Sequence, residues 1–253
     1  MKSRTTSFRR RRPGAAFGSS LLALLGLAMV GGAQAAENAA TARPVVVELF
    51  TSQGCSSCPP ADTLLNELAD RPDVIALGFH VDYWDSLGWK DPLSAPGSTQ
   101  RQRDYARLLN LPTIYTPQMV IEGHLQLVGS DRTAVLSGIE RTTPQTAATI
   151  RFSGNRKDVE IGAGSGTGKV LLVRFQRHRE TAVANGENAG LQARDANGVT
   201  ALTELGNWQG QAAHFDIDPP KPDEGVAVLV QAADGPILAA GILGAGVATG
   251  TAP

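Results

Sequence analysis

Cysteine is nearly absent from this 253-residue sequence: there are two, Cys55 and Cys58, three positions apart. That scarcity excludes a disulfide-stapled scaffold, which spreads several pairs along the chain. It also excludes a zinc site built of thiolates, since zinc needs four ligands. The three methionines are scattered, so no Met-rich stretch is available to a soft metal ion. Long apolar runs are missing as well. Leu21–Val30 is too short for a comfortable membrane span. Basic excess is confined to one end: residues 1–35 hold six basic residues and no acid, leaving 17 basic against 24 acidic beyond them. A mildly acidic remainder has no electrostatic attraction to nucleic acid or anionic lipid. No internal repeat is present.

What is there begins with an export pattern. A basic stretch ends at Arg12, the apolar run follows, and Ala33-Gln34-Ala35 supplies small residues at a cleavage site. Residues 1–35 are therefore expected to be a signal peptide, with the mature chain periplasmic or secreted and holding no stable membrane span. Disulfides form and persist in such compartments. A single pair closing so small a loop removes little chain entropy and braces little, so the pair points to chemistry.

After a linker at 36–44, the periodicity alternates between strand and helix. Val45–Phe50 reads as a buried strand, and Ala61, Leu64, Leu65, Leu68 and Ala69 recur at helical spacing until Pro72. Residues 74–81 read as a second strand, giving a parallel βαβ unit. An irregular insert from Asp82 to about Ser98 carries Trp84 and Trp89. A helix near 99–109, strands at 118–122 and 125–128, and a helix capped by Asp131 complete the order β-α-β-α-β-β-α over 45–143. Beyond Pro144, short alternating runs at 148–152, 158–161, 169–175 and 226–231 predict a separate, small antiparallel sandwich-like domain over 144–243. Residues 244–253 are expected to be a disordered tail. The expected class is thus α/β with an appended β domain.

Cys55 and Cys58 sit between a strand and an amphipathic helix, the context that gives a C-x-x-C pair its redox meaning. Free N–H groups and the dipole at a helix N-terminus stabilise a thiolate. The nearer-surface Cys55 is expected to attack and Cys58 to resolve. Two helix starts are open. A cap at Cys55 would place Pro59 and Pro60 inside the helix, where they break bonds, whereas a cap at Cys58 puts Pro59 at the favoured first position. An inert disulfide is the bland alternative. Ser56 and Ser57, between the cysteines, and Trp84 and Trp89, in the insert, are candidate substrate contacts; the bland reading of the tryptophans is a loop pinned by buried rings. Strand alternation puts Glu48 opposite Val45, Val47 and Leu49. A buried carboxylate there could carry a proton for the resolving thiol or simply pair with a nearby Arg or Lys. Thr116-Pro117 precedes a strand, and a cis X-Pro bond lies only ~0.5–1 kcal/mol above trans, so a fold can fix it. The alternative is an ordinary trans proline at a strand edge. His80 and Asp82 end the second strand on the edge that carries the cysteines, while His124, His178 and His214 are expected to lie away from it. Gly164-Ser-Gly-Thr-Gly168-Lys169 lacks the Ser/Thr and helix of a phosphate-binding loop, and reads as a turn.

The stretches QGCSSCPPAD, DYWDSLGWKDP, RQRDYA, TPQMVIEG and GENAG resemble an uncharacterised bacterial family of secreted thioredoxin-like proteins known only as a domain of unknown function. The resemblance covers nearly the whole mature chain. It implies Cys55 as attacking cysteine, Cys58 as resolving cysteine, Pro117 as a cis proline facing them, and Glu48 as the buried acid, offset by one residue. The function it implies is an exported thiol–disulfide oxidoreductase acting on protein or small-molecule thiols. No cofactor is expected, and a membrane redox partner is a candidate for recycling the pair. Two other classes compete: a copper(I) chaperone, with His80 as its third ligand, and a non-enzymatic binding module.

Overall fold

The structure, a computed structural model, describes residues 43–243. The expected signal peptide, nearly all of the linker and the C-terminal tail lie outside these residues. The elements are β1 (Val45–Thr51), α1 (Pro59–Ala69), β2 (Val74–His80), α2 (Pro96–Leu108), β3 (Gln118–Ile121), β4 (Leu125–Val128) and α3 (Arg132–Arg141). They are followed by β5 (Ile150–Phe152), β6 (Asp158–Ile161), β7 (Gly168–Ala182), β8 (Gln192–Trp208), β9 (Ala213–Asp216), β10 (Glu224–Gln231) and β11 (Ile237–Leu243).

Eight strands form one mixed sheet in the order β11-β10-β7-β8-β2-β1-β3-β4, and β5-β6-β9 form a small antiparallel sheet. β1 and β2 are parallel over seven residue pairs, from Val45↔Val74 to Thr51↔His80. Both strands are buried throughout, as parallel strands covered on two faces must be. One face of β1, with Val45, Val47 and Leu49, packs on α1 and α3 through Ala61, Leu64, Leu68, Val135 and Ile139. The other, with Val46 and Phe50, joins Phe79, Tyr105 of α2, Val173, Phe175 and Leu229 in a second core. The small sheet covers β7, β10 and β11 through Val159, Ile161, Trp208, Val228 and Ala239.

The strands beyond residue 144 do not build a detached sandwich. β8 pairs parallel with β2 at Gly78↔Gly198, so β7, β8, β10 and β11 continue the sheet that β1–β4 begin. The described residues fall within one compact unit. The expected division at residue 143 is therefore not a division of the sheet, although sheet-on-sheet packing occurs locally as predicted for those residues. The sheet also coils until two distant turns meet. Ile237 N donates to Glu122 O at 3.1 Å, and Arg43 holds Glu122 (2.8 Å) and Ile237 O (2.8 Å) together. Gly123 makes this approach possible: a Cβ there would lie 2.1 Å from Gly235 O, at a φ of +71° that side chains rarely adopt.

No helix among the described residues is long and apolar enough to cross a membrane.

Candidate functional site

The C-terminal end of β1 turns at Ser52–Gly54 into the cysteine pair. Cys58 caps α1, and Pro59 and Pro60 occupy its first two positions. Of the two helix starts the sequence leaves open, this is the later one. Its physical reason is that N–H groups of the first turn have no helical partner, so two prolines there forfeit nothing. Cys55 lies ahead of the helix in a tight turn, with Cys58 N donating to Cys55 O at 3.1 Å. The two sulfurs form a disulfide.

Three segments converge on this turn. β3 runs antiparallel to β1, with Phe50 opposite Gln118, so Thr116 arrives beside the cysteines. The Thr116–Pro117 peptide is cis. Thr116 Oγ1 lies 3.3 Å from Cys55 Sγ, and Ser57 Oγ lies 3.4 Å from the same sulfur. The insert brings Trp84, whose Nε1 donates to Thr116 Oγ1 at 2.9 Å, and Trp89, whose Nε1 donates to Gln53 Oε1 at 3.2 Å. The third segment is the turn of the long β7–β8 hairpin. Asn188 Nδ2 donates to both Gln53 O and Cys55 O, each at 2.9 Å, and Ser56 N donates to Glu187 Oε2 at 3.3 Å. Gly186, at φ +78°, sits against the insert so tightly that a Cβ would be 3.1 Å from Trp89 Cβ.

Both cysteines are wholly enclosed, each 0% exposed, while Ser56 and Ser57 are exposed. The expectation that Cys55 lies nearer the surface is corrected here. Segments that sequence spacing cannot place beside it, the insert and the hairpin turn, adjoin the cysteine turn.

Glu48 is buried, as alternation predicts, but on the face opposite α1. Arg101 Nη2 donates to Glu48 Oε1 at 2.8 Å, Arg101 Nε pairs with Oε2, and Tyr105 Oη donates to Oε1 at 2.7 Å. Of the two readings open for it, the structure gives the ion pair. A proton carrier for Cys58 has to lie on the helix side of the sheet. On the helix side stands Asp62, four residues after Cys58 in α1, accepting a hydrogen bond from Thr51 Oγ1 at 2.6 Å. Burial pushes its pKa up to about 7, against the opposing influence of the Thr51 hydrogen bond and the charge of His80.

Behind the turn lies a buried charge cluster. His80 Nδ1 is 2.7 Å from Asp91 Oδ2, and its Nε2 is 3.8 Å from Asp195 Oδ1. Gln53 N donates to Asp91 Oδ2 and Gln53 Nε2 to Asp195 Oδ2, each at 2.7 Å. Burial alone would lower the His80 pKa; Asp91 and Asp195 outweigh it and raise it to about 9. Burial would raise the Asp91 pKa, but His80 and its hydrogen bond hold it below the ordinary carboxylate value. Asp195 is raised, chiefly by burial. His80 thus sits near the site as expected, yet both ring nitrogens face carboxylates rather than sulfur. Asp82 instead bonds Thr99 Oγ1 at 2.6 Å and caps no thiol. His124 lies in the β3–β4 turn, His178 on β7 and His214 on β9. No group of three or more metal-ligating side chains occurs among the described residues.

A cleft of about 700 Å³ between α2 and strands β7, β8 and β10 is lined by Arg101, Lys169, Leu171, Thr200 and Glu204, among others, but by neither cysteine. The residues that sequence reasoning passes over are Gln53, Asp62, Glu187, Asn188 and Asp195. Four of them lie in stretches that carry the family resemblance, Gln53 and Asp62 at the two ends of QGCSSCPPAD and Glu187 and Asn188 in GENAG; Asp195 lies in none.

Comparison with known proteins agrees with this extent. A family model described as "Protein of unknown function (DUF1223)" matches residues 46–231. Protein AGR_C_4864 from Agrobacterium tumefaciens has a similar structure at 33% identity, with a TM-score of 0.68 over 80% of this chain and 94% of that one. HBP35 of Porphyromonas gingivalis resembles it in fold, at 13% identity and a TM-score of 0.50, over 79% of this chain and 74% of that one. No curated protein matches.

Proposed function

Because the chain belongs to the DUF1223 family of unknown function, we propose from the site alone that it is an exported thioredoxin-like thiol–disulfide oxidoreductase. Its disulfide would exchange electrons with protein or small-molecule thiols. One observation carries this: the Cys55–Cys58 disulfide stands at the mouth of α1 with Thr116 Oγ1 3.3 Å from Cys55 Sγ. A loop this short braces the fold little, and the neighbouring polar groups are those that thiol exchange uses.

The exchange balances as follows. A substrate thiolate attacks Cys55 Sγ, the Cys55–Cys58 bond breaks, and Cys58 leaves as a thiolate. Asp62, protonated below about pH 7, supplies the proton that Cys58 needs. A second substrate thiolate attacks the mixed disulfide and releases Cys55. The substrate thiols end as a disulfide, and the protein pair has gained two electrons. A membrane redox partner would return it to the oxidised state, and the reverse sequence reduces a substrate disulfide.

Insulin-disulfide reduction and a glutathione redox equilibrium test the proposal. Wild type should turn over, and Cys55→Ser should lose all measurable exchange. Asp62→Asn should slow exchange several-fold and flatten its pH profile around 7, with stability at pH 7 unchanged or higher, since an ionised buried acid is itself unfavourable. The complete enclosure of both cysteines favours a second reading, a non-enzymatic module in which the disulfide is inert. Wild type that neither reduces insulin nor equilibrates with glutathione would establish it.

A further inference from the structure

We propose that the tip of the β7–β8 hairpin, residues 183–191, is a lid over the cysteine pair, and that it lifts before any thiol reaches Cys55. Its purpose rests on the oxidoreductase reading; its geometry does not.

The hairpin stem is firmly paired, from Gly168↔Trp208 to Ala182↔Gln192. It is fixed beside α1 by Asn66, which donates to Arg194 O and accepts from Ala196 N, each at 2.8 Å. Beyond Ala182 the chain holds itself together. Gly190 N donates to Val183 O at 2.8 Å, Leu191 N to Asn188 O at 3.0 Å and Ala189 N to Gly186 O at 3.2 Å. The tip can therefore move as one piece.

Its grip on the site is slight and mostly polar, with Gly186 the point where it packs on the insert. Val183 is buried at the stem, and Asn188 is half-buried; Ala184, Asn185, Gly186, Glu187, Ala189 and Gly190 are exposed. The tip's hydrogen bonds to the cysteine turn are the two from Asn188 Nδ2 to Gln53 O and Cys55 O and the one from Ser56 N to Glu187. A segment with few apolar contacts, held by a few hydrogen bonds that are exposed or only part-buried, opens locally at far lower free energy than the core. The stretch it covers carries a disulfide with no exposed surface. A cover fastened to the backbone of the reactive residue by hydrogen bonds, and otherwise by Gly186 against the Gly88–Trp89 stretch, is built to be released.

The test reads access to the disulfide and needs no enzymatic activity. The full chain is incubated with excess dithiothreitol, which becomes its cyclic disulfide as the protein takes up two electrons and two protons. Free thiols are trapped with iodoacetamide over time. Asn188→Ala should be reduced at least about tenfold faster than wild type, since each lost hydrogen bond shifts such an opening several-fold, with little change in melting temperature. A shortened hairpin, with an Asn-Gly turn replacing residues 184–190, should be faster still. Reduction of both variants within twofold of wild type overturns the lid. So does acceleration by Trp84→Ala alone, which would make the indole the cover. If the variants are reduced quickly and yet wild type fails to reduce insulin, the oxidoreductase reading falls and the lid stands.

Discussion

Replacing Arg101 with methionine should cost the protein about 3–5 kcal/mol of stability, the usual penalty for leaving one member of a buried ion pair alone. The partner is Glu48, 0% exposed. Once the guanidinium is gone, its carboxylate keeps only the Tyr105 hydroxyl. Arg101 also bonds Gln231 at 3.3 Å and lies 5.4 Å from the Phe79 ring centroid and 5.0 Å from that of Tyr105, so it ties α2 to β1, β2 and β10. Urea unfolding of Arg101→Met and of Glu48→Leu/Arg101→Met separates the causes. The double variant should recover most of the loss, because it leaves no unpaired charge. Equal damage in both would show that packing rather than charge dominates. Glu48→Gln should lower stability while leaving the pH profile of thiol exchange in place. A flattened profile would return the proton-carrying role to Glu48.

The second large effect is expected at His80. His80→Ala should destabilise by a similar amount, about 3–5 kcal/mol, since it leaves Asp91 and Asp195 facing each other without a cation. The pH dependence carries a sign that can be checked. His80 is raised from 6.5 to about 9 in the folded protein, so its contribution is complete below about pH 6.5 and is lost as pH rises through about 9. Asp62, raised from 3.8 to about 7, acts in the same sense, its contribution fading between those values. Asp91, held low, acts oppositely and loses its contribution in acid. Wild-type stability should therefore fall from about pH 6.5 to 9, and this limb should vanish in His80→Ala. Equal slopes in the two proteins over that range would remove His80 from the account.

Much of the first half of the fold was legible because its periodicity is unambiguous. Val45–Thr51, the helix after Cys58, β2 and the Asp131 cap were all marked by apolar spacing or a capping side chain, and the Asp131 side chain accepts from Ala134 N at 3.0 Å. The alternation along β1 also placed Glu48 and Val47 on opposite faces. It could not say which face α1 would take, and that choice decides whether Glu48 meets a thiol or an arginine. β8 was missed altogether. Arg194, Asp195, Asn197, Gly198 and Gly206 give it the composition of a loop, yet Asp195 is satisfied in the charge cluster and Asn197 by Ala76 O on β2. Nor does local pattern reveal which strand pairs with which. The single β2–β8 bridge at Gly78↔Gly198 merges two sheets that the sequence presents as separate, and brings the hairpin tip to the cysteines.

Gln53 shows what this arrangement entails for transplanting the site. Its N–H, both ends of its side-chain amide and its carbonyl are each engaged by a different group: Asp91, Asp195, Trp89 and Asn188. A cysteine turn grafted onto a foreign scaffold would carry those four groups with it and find none of their counterparts. The cysteine turn and the distant hairpin are thus inherited together, and divergence in one obliges change in the other.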